Sequence, residues 1–174
     1  KWIDKAQAQT EKLTALVNAL VTLSRMDEGV SPLKMEPFPL SEAVADTAEP
    51  FRDLAQSKGH ALVLDIAPEL TYKGDEYAIR QLVSILLDNA VKYARADSPI
   101  TLTLEKTRRG AVLRCRNGSD PIPEDTLAKL FDRFYRADPS RNAATGGFGI
   151  GLSIARGIAE AHKGSICARM VGEE

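Results

Sequence analysis

One apolar stripe runs along the first 26 residues of the chain, and only a long helix presents such a stripe to a single partner. Hydrophobic and small side chains recur at alternating three- and four-residue steps from Ile3 to Ser24, which is the period of an amphipathic helix. At about 1.5 Å per residue this helix would be roughly 35 Å long. We expect it to be one helix of a helical bundle, over residues 1–28; the alternative is a helix packed on its own domain.

A proline-bearing segment separates this helix from the rest of the chain. Asp27, Glu28 and Gly29 form a helix stop, and Pro32, Pro37 and Pro39 follow, a pattern typical of an extended connection. We therefore predict a linker over residues 29–40 and a second domain over residues 41–174.

The second domain mixes helical and strand patterns. We expect a helix that Ser41 caps and that ends near Gly59, and a turn over residues 68–74. A hairpin with its turn at Gly110 would supply an antiparallel pair, which argues against a purely parallel sheet. The other expected elements are a strand at 61–66, helices at 76–94, from Pro123 and at 150–162, hairpin strands at 100–106 and 111–116, and a last strand at 165–169.

Composition excludes several classes of protein. Lys and Arg number 23 against 24 Asp and Glu, so the chain has no overall basic character for nucleic acid or an anionic membrane. Cys115 and Cys167 lack the spacing of a zinc or redox site and are expected to be half-buried strand thiols in a reducing compartment. No apolar run approaches the length of a membrane span. Because the chain begins at Lys1 and stops in a polar stretch, we expect it to be part of a longer protein.

The helix at 76–94 carries a polar stripe on an otherwise apolar surface. Asn89, Lys92 and Tyr93 stand three and four residues apart and share a face. An amide oxygen can ligate Mg²⁺, an ammonium can neutralise phosphate, and an aromatic edge can border a nucleoside. The alternative is a helix rim that touches solvent.

Three further segments carry polar or glycine-rich chemistry. Asn117 ends a strand at a turn, where its amide can pair with an adenine edge or form an Asx turn. Arg133 and Arg136 lie among aromatic side chains and can meet a phosphate or a partner protein. Glycines at alternate positions lead into the helix at 150–162, whose N-terminal amides can bind an anion. No Rossmann or P-loop context surrounds them.

Taken in order, these four segments resemble the N, G1, F and G2 boxes of the histidine kinase branch of the GHKL ATPase superfamily. The boxes fall at residues 87–93, 117–123, 131–136 and 147–152, and residues 3–26 resemble the second helix of the dimerisation and phosphotransfer bundle. The resemblance implies an α+β fold, a two-layer α/β sandwich of the Bergerat type with a mixed sheet, preceded by the long bundle helix.

The resemblance also implies the ligands and the site. ATP and Mg²⁺ are the expected cofactors, Asn89 is the expected metal ligand, and no residue is assigned as a catalytic base. The expected nucleotide contacts are Asn89, Lys92, Tyr93, Asn117, Ile122, Arg133, Phe134, Arg136, Gly147, Gly149, Ile150, Gly151 and Leu152.

The sequence departs from the pattern of the family in two places. Ile85 stands where a second asparagine or an acid is usual, and isoleucine cannot ligate Mg²⁺, so water would fill that place. Asn117 replaces the usual aspartate, and Ser119 and Pro121 replace glycines. A neutral amide accepts a weaker hydrogen bond than a carboxylate does, so we expect weaker contacts with the metal and with adenine than the family pattern gives.

The implied activity is that of a protein-histidine kinase, which transfers the ATP γ-phosphoryl group to a bundle histidine for relay to the receiver domain of a response regulator. His60 and His162 are the two histidines of the chain, and neither stands on the bundle helix, so these residues alone are expected to be inactive in autophosphorylation. We expect a homodimeric parent anchored in the plasma membrane, a cytoplasmic domain without membrane contact, and no nucleic acid. The alternatives are a degenerate nucleotide-binding or scaffold module and a GHKL ATPase of another branch.

Overall fold

A computed structural model describes residues 33–108, 110–135 and 149–172, together with the single positions Trp2, Thr10, Thr14 and Val17. Those four positions are helical and exposed. The rest of the expected bundle helix lies outside the described residues.

The described elements alternate between short strands and helices. In chain order they are β1 (Glu36–Pro39), α1 (Leu40–Ala48), α2 (Pro50–Ser57), β2 (Leu62–Ile66), β3 (Thr71–Gly74), α3 (Glu76–Tyr93), β4 (Ile100–Thr107), β5 (Gly110–Asn117), α4 (Glu124–Lys129) and α5 (Gly151–Ala161).

A mixed three-stranded sheet forms one layer. β4 lies in its centre, parallel to β2 and antiparallel to β5, with Ile100 opposite both Leu62 and Asn117. Asn117 therefore ends its strand at the sheet edge where β2 and β4 begin. β1 and β3 form a separate antiparallel pair in which Phe38 lies opposite Tyr72.

Helices α1, α2 and α3 cover the sheet through one apolar cluster. Ile100, Leu102 and Leu104 alternate inward along β4, as expected of a strand with one buried face. Leu87 and Val83 of α3 are fully buried against them in the same cluster, and burying each such side chain stabilises the fold by roughly 1.5–3 kcal/mol. The α+β class with a mixed sheet, predicted from the sequence, is confirmed.

A second apolar cluster joins α3 to α5. Its buried members come from the first half of α3 and the inward face of α5: Ala78, Leu82, Ile150, Ile154, Ala155 and Ile158.

Several local predictions were wrong. Ser41 lies inside α1, where its Oγ donates to the carbonyl of Ala67 at 2.6 Å and accepts from the amide of Leu70 at 2.9 Å. The expected single helix is two, because Pro50 begins a new one after Glu49. β3 occupies part of the expected turn at 68–74. Residues 165–169 form no strand.

The two cysteines have different surroundings. Cys115 is half-buried on β5, as predicted, and burial raises the pKa of its thiol to about 12. Cys167 is exposed and stands outside a strand, so that part of the prediction was wrong. Among the described helices, none is long and apolar enough to cross a membrane.

Candidate functional site

The polar stripe of α3 lies at the C-terminal end of that helix. Asn89 is partly exposed, and Tyr93, the last residue of the helix, is 40% exposed. Lys92 pairs with Asp88 at 2.6 Å between Nζ and Oδ2. This pair is solvent-exposed and of the i,i+4 type, which stabilises a helix only weakly. Lys92 can therefore exchange Asp88 for a phosphate oxygen at little cost.

The turn after β5 holds Asn117 in a fixed setting. Asn117 Nδ2 donates to the carbonyl of Gly118 at 3.0 Å, and the same carbonyl accepts from the amide of Arg95 at 2.7 Å. Among the described residues, nothing bonds Asn117 Oδ1. An amide oxygen that no described residue bonds, beside a fixed turn, fits an exocyclic amine such as that of adenine. Ile122 follows, partly buried, just before α4.

The N-terminus of α5 lies beside the polar half of α3. A Cβ added to Gly151 would lie 3.5 Å from Cγ2 of Ile85, one helical turn before Asn89. The preceding Ile150 is buried and caps no backbone amide with its side chain. The first amides of α5 therefore have no capping oxygen from that position, which is the arrangement that binds anions. Leu152 is partly buried in the first turn.

Phe134 lies next to Gly149, on the other side of the glycine-bearing segment. The amide of Phe134 donates to the carbonyl of Gly149 at 2.9 Å. Gly149 has a φ of +71°, and a Cβ there would lie 2.8 Å from the carbonyl oxygen of Tyr135, so both backbone conformation and space require glycine. Arg133 is exposed. The predicted contacts Arg136 and Gly147 lie outside the described residues.

Ile85 stands where the resemblance implies a metal ligand, and in the structure this side chain packs in an apolar cluster. Its side chain is partly buried against the cluster between α3 and α5. Asn89 therefore has no neighbouring protein ligand one turn earlier, and no group of three His, Cys, Asp or Glu side chains able to hold a metal occurs in the described part of the chain. A single amide ligand fits Mg²⁺, which keeps several waters and binds phosphate oxygens directly.

Two contacts that support the site were not predicted from the sequence. Ser98 packs so closely on Gly118 that a Cβ added to Gly118 would lie 2.6 Å from the Cβ of Ser98. Asp132 pairs with Arg156 of α5 at 3.5 Å, which joins the segment at 131–135 to that helix. Sequence separations of 20 and 24 residues hide both contacts. The signal that was present is the glycine at 118, directly after the predicted base contact.

Both histidines are structural. His60 is buried, with Nδ1 at 3.1 Å from the carbonyl of Ser98. His162 is also buried; its Nε2 accepts from the amide of Asp75 at 2.9 Å and its Nδ1 lies 2.8 Å from the carbonyl of Ile158. Since a carbonyl only accepts, Nδ1 carries the proton in both rings. Neither ring is presented to solvent as an acceptor of a phosphoryl group.

Comparison with known proteins assigns the family. The sequence model described as histidine kinase-, DNA gyrase B-, and HSP90-like ATPase matches residues 74–173, more than half of the 174 residues. The chain belongs to this family. Sensor protein DltS of Streptococcus agalactiae serotype V is 33% identical over 168 residues, 97% of this chain and 42% of the relative. The chain thus spans less than half of the length of that relative.

Solved histidine kinase structures share the fold. Acinetobacter baumannii histidine kinase AdeS superposes with a TM-score of 0.75 at 23% identity, over 91% of this chain and 72% of that one. Full-length ShkA in complex with AMPPNP gives 0.76 at 22% identity, over 92% of this chain and 33% of that one. Together, the family match and the named relatives identify the ATP-binding catalytic domain of a sensor histidine kinase.

Proposed function

We propose that this domain binds ATP with Mg²⁺ on the surface formed by the end of α3, the Asn117 turn and the start of α5, and donates the γ-phosphoryl group to a histidine outside these residues. The observation that carries the proposal is the closeness of Ile85 to Gly151, where an added Cβ would lie 3.5 Å from Ile85 Cγ2. It sets a helix N-terminus that the side chain of Ile150 does not cap beside the polar stripe of α3. Neither the start of α5 nor the polar stripe alone indicates a phosphate-binding site. Together they provide anion-binding amides, an ammonium and an amide oxygen.

Each end of the nucleotide has its own group of residues. At the base, Asn117 Oδ1 would accept from the adenine amine, with Tyr93 and Ile122 bordering the nucleoside. At the phosphates, the amides after Ile150 and the Lys92 ammonium would neutralise charge. The remaining contacts predicted from the sequence, Arg133, Phe134, Arg136, Gly147, Gly149, Gly151 and Leu152, are proposed to line the phosphate side.

Asn89 is proposed as the one protein ligand of Mg²⁺. When bound, the metal would offset the charge that develops on the transferred group. This chain's own part is positioning: it holds the base and the phosphate chain, so that the γ-phosphoryl group is presented outward. Because phosphoryl transfer depends mainly on positioning and charge neutralisation, no side chain is assigned as a base.

The acceptor is proposed to be a histidine on a bundle helix outside these 174 residues, since His60 and His162 are both buried and bonded. Val17, within the predicted bundle stripe, is 50% exposed, which supports a partner helix and a homodimer of the parent. We propose the boundaries 1–28, 29–40 and 41–174 for bundle helix, linker and catalytic domain. The phosphoryl group would pass on to a response regulator, in the cytoplasm beneath a membrane-anchored parent.

Transfer of label from γ-labelled ATP tests this proposal. In a longer parent chain that includes an acceptor histidine, we expect acid-labile label on histidine that depends on Mg²⁺. Asn89→Ala should lower the transfer rate at limiting Mg²⁺ roughly tenfold or more, because the metal loses its only protein ligand. Tyr77→Ala is the matched control, since Tyr77 is 80% exposed at the other end of α3. Bound ATP without any transfer would instead indicate a binding module.

A further inference from the structure

The part of the linker that begins at Leu33 packs on the domain, although the prolines of the linker suggest a free connection. Leu33 packs against the cluster between α3 and α5. The amide of Met35 then donates to the carbonyl of Leu33 at 3.0 Å, and that of Glu36 to the carbonyl of Lys34 at 2.9 Å. These i+2 to i bonds are γ-turns, and they lead directly into β1. From Leu33 onward the proposed linker is therefore docked on the catalytic domain.

Asp75 binds this docked segment through the carboxylate oxygen that does not cap α3. Its Oδ1 accepts from the amide of Ala78 at 3.0 Å and caps α3, while its Oδ2 accepts from the amide of Lys34 at 3.0 Å. Its carbonyl accepts from the amide of Ile79 at 3.0 Å. One carboxylate thus bonds two backbone donors that lie 44 residues apart in the sequence.

The backbone of Asp75 is fixed in turn by the end of α5. Its amide donates to His162 Nε2 at 2.9 Å. Gly74 is closely packed there, because an added Cβ would lie 2.8 Å from His162 Cδ2 and 2.6 Å from Tyr72 Cε1. We call Lys34, Asp75 and His162 the Asp75 joint. It connects the linker, the start of α3 and the end of α5 in one set of hydrogen bonds.

We propose that Asp75 is a positioning residue for phosphoryl transfer: its Oδ2 fixes where the tether to the bundle helix begins, at Leu33–Lys34. This inference rests on the proposed function. Both helices that carry the proposed nucleotide contacts are bonded at the joint, so the docked linker sets the direction from which the γ-phosphoryl group meets the acceptor. Release of the linker would lengthen the tether and lower the effective concentration of the bound phosphate at the acceptor.

Lys34→Pro tests the joint with minimal disturbance. Lys34 is the central residue of a γ-turn and has no positive φ, so it has the φ near −75° of the inverse type, which proline also adopts. The substitution removes the amide donor and leaves Asp75 intact. Lys34→Ala is the matched control, because it keeps the amide. Asp75→Asn attacks the same bond from the other side, since it leaves one acceptor oxygen for two donors and asparagine still caps a helix.

Hydrogen exchange of the 174-residue chain gives the first readout. Lys34→Pro and Asp75→Asn should each speed exchange of the Met35, Glu36 and Phe38 amides about tenfold, as expected for loss of one charge-assisted hydrogen bond. Their double variant should show no further increase, because both remove the same bond. Lys34→Ala should exchange like the wild type. Unchanged exchange in Lys34→Pro overturns the joint whether or not the chain binds ATP.

Phosphoryl transfer in the acceptor-containing chain gives the second readout. At saturating ATP, Lys34→Pro should lower the transfer rate roughly threefold or more, with the Kd for ATP unchanged. A wild-type rate in Lys34→Pro overturns the positioning role. Failure of the wild-type chain itself to bind ATP would overturn the proposed function and leave the exchange result as it stands, so the two failures are distinct.

Discussion

Gly118 occupies a position that no larger residue fits. An added Cβ would lie 2.6 Å from the Cβ and 2.7 Å from the Oγ of Ser98. Ser98 itself cannot retreat easily, because its Oγ donates to the carbonyl of Arg95 at 2.6 Å and its carbonyl bonds His60 at 3.1 Å. The turn that presents Asn117 is therefore set by close packing on a buried network.

Gly118→Ala should lower the free energy of unfolding by roughly 1–3 kcal/mol, as overpacking of a tight contact does, and weaken ATP binding as the turn shifts. Urea unfolding and calorimetry measure the two effects. Gly172→Ala is the control, since a Cβ there meets nothing within 4 Å. Adding Ser98→Gly to Gly118→Ala should recover part of the loss. If the two substitutions simply add, the contact does not determine the turn.

The sequence predicted which residues form the site better than it predicted the contacts that support them. The sequence places Asn117 at a strand end, where it is found, because an apolar strand pattern stops there. The support from Ser98 was hidden, since it depends on a loop folding back between α3 and β4. Ser41 failed as a cap for a similar reason: a hydroxyl near a helix start can equally bond a neighbouring loop, here at Ala67 and Leu70.

At the scale of secondary structure elements, Arg80 of α3 connects this helix to α1 by hydrogen bonds. Arg80 Nη1 donates to the carbonyl of Ala43 at 3.1 Å and to Thr47 Oγ1 at 3.3 Å, both in α1. On its own helix it pairs with Glu76 at 2.7 Å. The planar guanidinium makes these contacts simultaneously, which a lysine ammonium cannot reproduce.

Arg80→Ala should destabilise the domain by about 1–2 kcal/mol, because the Ala43 and Thr47 contacts lose their donor. Arg80→Lys should recover little of it. Arg114→Ala is the comparison, since Arg114 makes an exposed pair with Glu105 at 2.6 Å, and such surface pairs contribute less than about 1 kcal/mol. Equal losses in thermal or urea unfolding for Arg80→Ala and Arg114→Ala would contradict the fastening role.

Long elements were predictable and short ones were not. The 18 residues of α3 and the hairpin of β4 and β5 have enough periods for an apolar pattern to appear. β1 has four residues, of which only Phe38 is buried, and two are prolines at exposed positions. That composition is compatible with an edge strand as well as a linker, so pairing with β3 decides the outcome.

At the scale of the whole molecule, the proposed site is assembled from segments that are distant in the chain. Order and composition of the four segments indicated the family and the fold, which the structure and the relatives confirm. The closeness of Ile85 to Gly151 could not be predicted from the sequence. There Ile85 appears only as a missing metal ligand, whereas in the structure it also packs on the helix whose first amides are proposed to bind phosphate.

Calorimetric titration of the 174-residue chain with ATP and Mg²⁺ tests the central claim most directly. We predict saturable binding at one site. Asn117→Ala should weaken it by about 1–3 kcal/mol, roughly 5- to 150-fold, because the adenine amine loses its acceptor. Asn117→Asp keeps an acceptor and should bind at least as tightly as the wild type. Absence of binding by the wild-type chain, or equal affinity in Asn117→Ala, would contradict the account.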